Sequence, residues 1–96
     1  PRPVDAEESL AIGLANRVVP AADLPTEAAS LAARLAAGPT VALASIKASL
    51  AYAATHDLAD VLAFEGRQMR RTGDTEDHAA AVASFLAKEK PTFTGR

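Results

Sequence analysis

TGDTEDHAAAVASFLAKEKPTFTGR, residues 72–96, is the stretch whose reading decides the fold. Gly73 supplies turn punctuation, and Asp74 or Thr75 can then cap a helix. Val82, Phe85 and Leu86 recur at helical spacing and are expected to point inward. Pro91 ends the helix, because its ring blocks the preceding turn and it has no N–H to donate. Lys88, Lys90 and Arg96 surround the lone Phe93. A terminal segment frays unless something ties it down, so this concentration of cations and one aromatic needs an explanation. A helix C-terminus favours cations on its own account.

Working back from that stretch, the chain is punctuated by short loops. Asp5 with Glu8 forms a capping-box pattern, predicting a short helix over 6–12 with Leu10 and Leu14 apolar and Gly13 just past its end. Asn16 to Val19, NRVV, is β-branched and stopped by Pro20, which predicts one short strand that must join an edge outside these residues or remain merely extended. Asp23 is a cap, Pro25 suits a first turn, and Leu24, Ala28, Leu31 and Leu35 repeat at helical spacing. Gly38-Pro39 ends that helix and starts another, with Leu43, Ile46, Leu50 and Ala53 as its stripe and Lys47 beside it. Thr55-His56-Asp57 interrupts the pattern, and Asp57 caps a third long helix bearing Leu58, Val61, Leu62, Glu65 and Met69. The expected architecture is mostly α: four helices, a short N-terminal helix and one short strand.

At 96 residues, 24 of them alanine, with only 4% aromatic content, any core contains many small contacts and few large anchors. A chain this small buries only about 60–65% of its unfolded surface, so partner surface is expected to complete the core. The net charge of −2 argues against nucleic acid or an anionic membrane as the main partner. Without cysteine there is no disulfide or thiolate metal site, which fits a cytoplasmic setting. No apolar run approaches the 18 residues of a membrane-spanning helix. The PRPVDAEESL start carries neither Met nor a signal pattern and reads as the interior of a longer chain.

Little in the residues themselves announces chemistry. His56 and His78 stand at helix starts, without a second His or Cys at ligand spacing, and read as surface or capping residues. No P-loop, G-x-S-x-G or G-x-G-x-x-G is present. Glu65, close to an apolar stripe, could act as an acid or base if desolvated, or could cap a neighbouring helix or pair with Arg67 or Arg34. Arg67, Arg70 and Arg71 share a helix face that could grip a phosphate or simply be solvated among Asp74, Glu76 and Asp77.

Taken in order, RPVDAEESLAIGLANRVVPAADL (2–24), LAAGPTVALASIK (35–47) and the opening 72–96 stretch resemble the enoyl-CoA hydratase/isomerase (crotonase) superfamily. The first is similar to that family's A-x-E-A-like helix followed by a VV strand. The second resembles a helix boundary before a Lys-bearing helix. The last is similar to its final helix, where a T-x-D start leads to A-F-x-x-K and P-x-F. The match is to the family's C-terminal third. It implies that residues 1–20 are a fringe helix and strand left from the crotonase core. Residues 21–96 would be the C-terminal helical region that covers acyl-CoA and builds a trimer or hexamer.

The resemblance implies that the parent hydrates or isomerises enoyl-CoA thioesters in fatty-acid or related metabolism. Its oxyanion hole and catalytic carboxylates lie upstream, so no catalytic residue is expected here and the 96-residue chain is expected to be inactive. It implies no cofactor and no metal, coenzyme A entering as the thioester substrate. Lys88 matches a lysine that approaches the nucleotide end of CoA, commonly from a neighbouring subunit, and Lys90 is a second CoA-binding candidate. Met69 falls where some members place a pocket-lining phenylalanine, and Phe85 joins it as an acyl-pocket or CoA-lining candidate. Gly73 replaces a phenylalanine common in the turn, and Ala80 and Ala81 stand in place of a frequent Glu-Gly pair. Phe93 is expected to pin the tail, contributing on the order of a few kcal/mol if buried. The alternative is a non-catalytic helical assembly module, joined through the stripes of Leu43, Ile46 and Leu50 and of Val82, Phe85 and Leu86. In isolation, either would be expected to self-associate through unpaired apolar faces.

Overall fold

A computed structural model describes all 96 residues as five helices: α1 (Ala6–Ala11), α2 (Leu24–Ala36), α3 (Thr40–Ala53), α4 (Leu58–Gly73) and α5 (Glu76–Ala87). They form two compact units, Pro1–Leu31 and Ala32–Arg96, with the boundary inside α2. No single helix is long and apolar enough to cross a membrane.

In the first unit, the Asp5 side chain accepts from the Glu8 N–H at 2.8 Å and starts α1. Only half of the expected capping box forms. The Glu8 carboxylate turns to the Arg2 guanidinium, which holds it below its ordinary pKa range. Gly13 follows α1 at φ 76°, the left-handed conformation that a residue without Cβ adopts at low cost. The expected strand at Asn16 to Val19 is absent: the segment runs without sheet pairing. A strand exists only through inter-strand hydrogen bonds, and none of these residues has a partner edge. Instead, Arg17 pairs with Glu27 of α2 at 2.5 Å, over a cleft lined by Val19, Leu24, Ala28 and Leu31.

The second unit is built on α3 and α4. Tyr52 stacks on Phe64 (centroids 4.4 Å, interplanar angle 9°), while Ala42 and Thr72 line one groove at the other end, so the helices are antiparallel. His56 stacks on Tyr52 at 3.6 Å and Arg67 lies over Phe64 at 5.3 Å, which extends the planar stack at both ends. Each aromatic pair of this kind contributes about 0.5–1.5 kcal/mol beyond its buried area. Asp57 caps α4 by accepting from Asp60 N–H at 3.1 Å. Of the two candidates for α5, Thr75 is the cap: its Oγ1 accepts from His78 N–H at 3.1 Å and donates to Thr72 O at 2.7 Å. Gly73 is not the turn residue expected of it, since it is the last residue of α4 with no positive φ.

No hydrophobic side chain is fully buried. The inward orientation expected for Val82, Phe85 and Leu86 is wrong, for all three are exposed, as are Ile46 and Leu50. Helical spacing places them on one stripe but cannot supply the surface that would cover it.

Candidate functional site

The tail after α5 is held at two points. The first is the helix end itself. Lys88 is left-handed (φ 58°), the only residue other than glycine with positive φ. Its N–H donates to Phe85 O at 3.1 Å and the Glu89 N–H to Ser84 O at 2.8 Å, which is a Schellman motif. That motif normally takes glycine, because a Cβ crowds the following carbonyl in this conformation.

The second anchor is Asp77, on the first turn of α5 and only 5% exposed. Its carboxylate accepts from Thr94 N–H (2.6 Å), Thr94 Oγ1 (3.2 Å) and Gly95 N–H (2.9 Å), while its own N–H donates to the backbone oxygen of Arg96 at 2.8 Å. The Thr94 N–H is the chief influence holding the carboxyl below the usual aspartate range. Burial opposes it, and Gly95, the Thr94 hydroxyl and the Arg96 charge assist. Gly95 sits at φ 78°, where an added Cβ would stand 2.8 Å from Thr40 Oγ1 at the start of α3. Phe93 is half-buried in a cleft of about 260 Å³ that includes Pro39, Val41, Thr72 and Ala81. The ring therefore does contribute to holding the tail, but a buried carboxylate does more of the polar work. Aspartate two residues after a cap, and glycine within FTGR, were the only sequence signals for this arrangement.

The two lysines fall between these anchors: Lys88 at the first, Lys90 two residues on and exposed. Met69, 73% exposed, lines a separate groove of about 380 Å³ between α3 and α4, with Ser45, Ile46, Leu50, Glu65 and Gln68. Phe85 is 81% exposed and lines neither this groove nor the Phe93 cleft, so Met69 and Phe85 do not share one pocket within these residues. Two buried polar atoms at this groove lack partners, Ser45 Oγ and Gln68 Oε1. Ser45 is only 4% exposed. Glu65 stands at the groove in none of the three ion pairs, so neither Arg67 nor Arg34 is its partner. His56 is taken up by the aromatic stack, and His78 lines the Phe93 cleft.

The family model for enoyl-CoA hydratase/isomerase matches residues 1–96. A Rhodobacter capsulatus protein named as a probable enoyl-CoA hydratase is 36% identical over 93 residues, 97% of this chain and 36% of the relative. The 1,2-epoxyphenylacetyl-CoA isomerase of Escherichia coli is also 36% identical over 93 residues, with the same coverage. The crystal structure of a Mycobacterium abscessus chain, assigned to the enoyl-CoA hydratases/isomerases, superposes with a TM-score of 0.93 at 43% identity, over 97% of this chain and 36% of that one.

The chain belongs to the enoyl-CoA hydratase/isomerase family. It spans about a third of the length of the relatives it matches. The relative named as a probable hydratase and the isomerase are equally identical to this stretch.

Proposed function

We propose that these residues form the C-terminal, CoA-contacting and subunit-joining region of an enzyme acting on enoyl-CoA thioesters, and that the catalytic carboxylates lie outside them. The single observation that carries the reading is Lys88. A lysine occupies a left-handed helix terminus that glycine would fill with less strain. Retaining a long cationic side chain there makes sense if its charge is used. The ammonium, with Lys90 beside it, suits the phosphates of the CoA nucleotide.

The uncovered surface supports the second half of the reading. Leu50, Leu62, Met69, Phe85 and Leu86 are all exposed. No large apolar side chain is fully buried within these residues, so their apolar faces lack covering surface. That exposure fits a chain that packs against other parts of its protein and against further subunits in a trimer or hexamer.

Hydration of crotonyl-CoA, followed as loss of enoyl thioester absorbance, tests the reading. The 96-residue chain alone is expected to show no turnover. In the full-length protein, Lys88→Ala is expected to raise KM for acyl-CoA about tenfold with little change in kcat, the loss of one charge-assisted contact. Turnover by the short chain would put a general base within it, with Glu65 the first residue to mutate. An unchanged KM would remove Lys88 from the site and favour an assembly module indifferent to CoA.

A further inference from the structure

The cationic segment from Lys88 to Arg96 is fixed at both ends by different physics. At its start, the Schellman hydrogen bonds join the Lys88 and Glu89 amides to the carbonyls of Phe85 and Ser84. At its far end, Asp77 accepts three hydrogen bonds from Thr94 and Gly95 and donates one to Arg96. Gly95 lies against Thr40 of α3, and Phe93 is seated among α3, α4 and α5 residues, so this end is referenced to all three helices. Lys90 and Pro91 bridge the two anchors. If the far anchor were removed, the segment would be tethered at Glu89 alone and would behave as a frayed end.

Asp77 is not placed to touch a ligand itself. Its carboxylate is buried beneath the tail backbone and its hydrogen-bonding capacity is occupied. The groups facing it are Thr94, Gly95 and Arg96 from the tail. Beside it on α5, Glu76 stands 3.8 Å from Arg96 Nε. His78 lines the same cleft, and from α3, α4 and the residue before α3 come only the uncharged Val41, Ala42, Thr72 and Pro39. No cation other than Arg96 competes for Asp77, so its hydrogen bonds go to tail backbone and to the Thr94 hydroxyl.

We propose that Asp77 is a positioning residue for CoA recognition: by clamping the backbone of Thr94 and Gly95 it holds the Lys88–Lys90 segment in the orientation that meets the nucleotide phosphates. This rests on the CoA role of Lys88 given above. Prepaid ordering of a cationic segment raises affinity by removing the entropy that binding would otherwise lose. The clamp therefore acts on CoA affinity through the lysines, without a contact of its own.

The test uses the full-length protein, with Asp77→Ala, Asp77→Asn, Lys88→Ala and the Asp77→Ala/Lys88→Ala double variant. CoA itself is the probe, titrated calorimetrically at several salt concentrations, and amide exchange is read at Thr94 and Gly95. Asp77→Ala is expected to speed exchange at both amides at least tenfold, weaken CoA binding about tenfold and flatten its salt dependence. The double variant should lose less affinity than the sum of the two single changes, the remainder being Lys90's share, a non-additivity that general destabilisation would not produce. Asp77→Asn keeps one acceptor oxygen and the side-chain size, so it should fall between wild type and alanine even where the alanine variant folds poorly. Unchanged exchange in both Asp77 variants would overturn the clamp. Fast exchange with unchanged CoA affinity, while Lys88→Ala binds weakly, would overturn the positioning role. If Lys88→Ala itself binds CoA normally, the CoA reading of the lysine fails, and this proposal fails with it.

Discussion

Lys88→Gly is expected to make the helix end more stable and the protein a poorer CoA binder. Left-handed backbone costs an L-residue about 1–2 kcal/mol, and glycine escapes that cost but loses more chain entropy on folding. The balance at Lys88, φ 58°, is a gain of about 1 kcal/mol for glycine, equivalent to about fivefold slower local opening. The Glu89 amide reports it directly, since its 2.8 Å bond to Ser84 O closes the motif. Lys88→Ala is the essential control, because alanine loses the charge but keeps the strained conformation. Both variants should weaken CoA binding alike, while only the glycine variant slows Glu89 exchange. Equal exchange in the two would mean that the left-handed residue stores no strain. Wild-type CoA affinity in the glycine variant would mean that the lysine is there for another reason.

Other perturbations separate the remaining parts of the structure. Gly95→Ala should release the tail, because the new Cβ meets Thr40 Oγ1 at 2.8 Å and the residue stays at φ 78°. Adding Thr40→Ala should restore the steric part of the Thr94 exchange protection but not the backbone part. Asp77 contributes stability that is fully present above the ordinary aspartate pKa and is lost as pH falls through its depressed folded value. The Thr94 and Gly95 amides should therefore lose protection only below the ordinary aspartate value of 3.8. In Asp77→Asn that acid transition should vanish from the two amides. Ser45→Ala removes a buried oxygen without a partner, so in the 96-residue chain it should be neutral or stabilising, by up to about 1–2 kcal/mol, in thermal melts. Destabilisation of the full-length protein by the same change would show that the α3–α4 groove is covered there and that Ser45 finds its partner. Light scattering of the short chain should show association rising with concentration, whereas a monomer throughout would contradict the adhesive character of its exposed apolar faces.

Much of the fold was legible because the signals act over a few residues. Asp5, Asp57 and Thr75 each accept from the N–H three positions on, and Gly38-Pro39 separates α2 from α3 as their backbone restrictions require. The family, likewise, was readable from the order of short motifs along the whole chain. The strand expected at Asn16 to Val19 does not form, because β-branched residues express a preference that only a partner edge can realise. The stripe of Val82, Phe85 and Leu86 is legible as a stripe but its exposure is not, since periodicity defines a face and says nothing of what lies opposite. Lys88 is legible as a cation at a helix end; its left-handed backbone follows from the hydrogen bonds that end α5 and no residue preference predicts it. The Asp77 clamp joins residues 17 and 18 positions apart, and neither a charged residue in a first turn nor a glycine near a terminus announces the other. Local sequence thus determined where helices begin and end, through contacts within one turn. The tertiary structure alone decided which faces remain open and which carboxylate holds the tail, because those depend on backbone groups brought together across many residues.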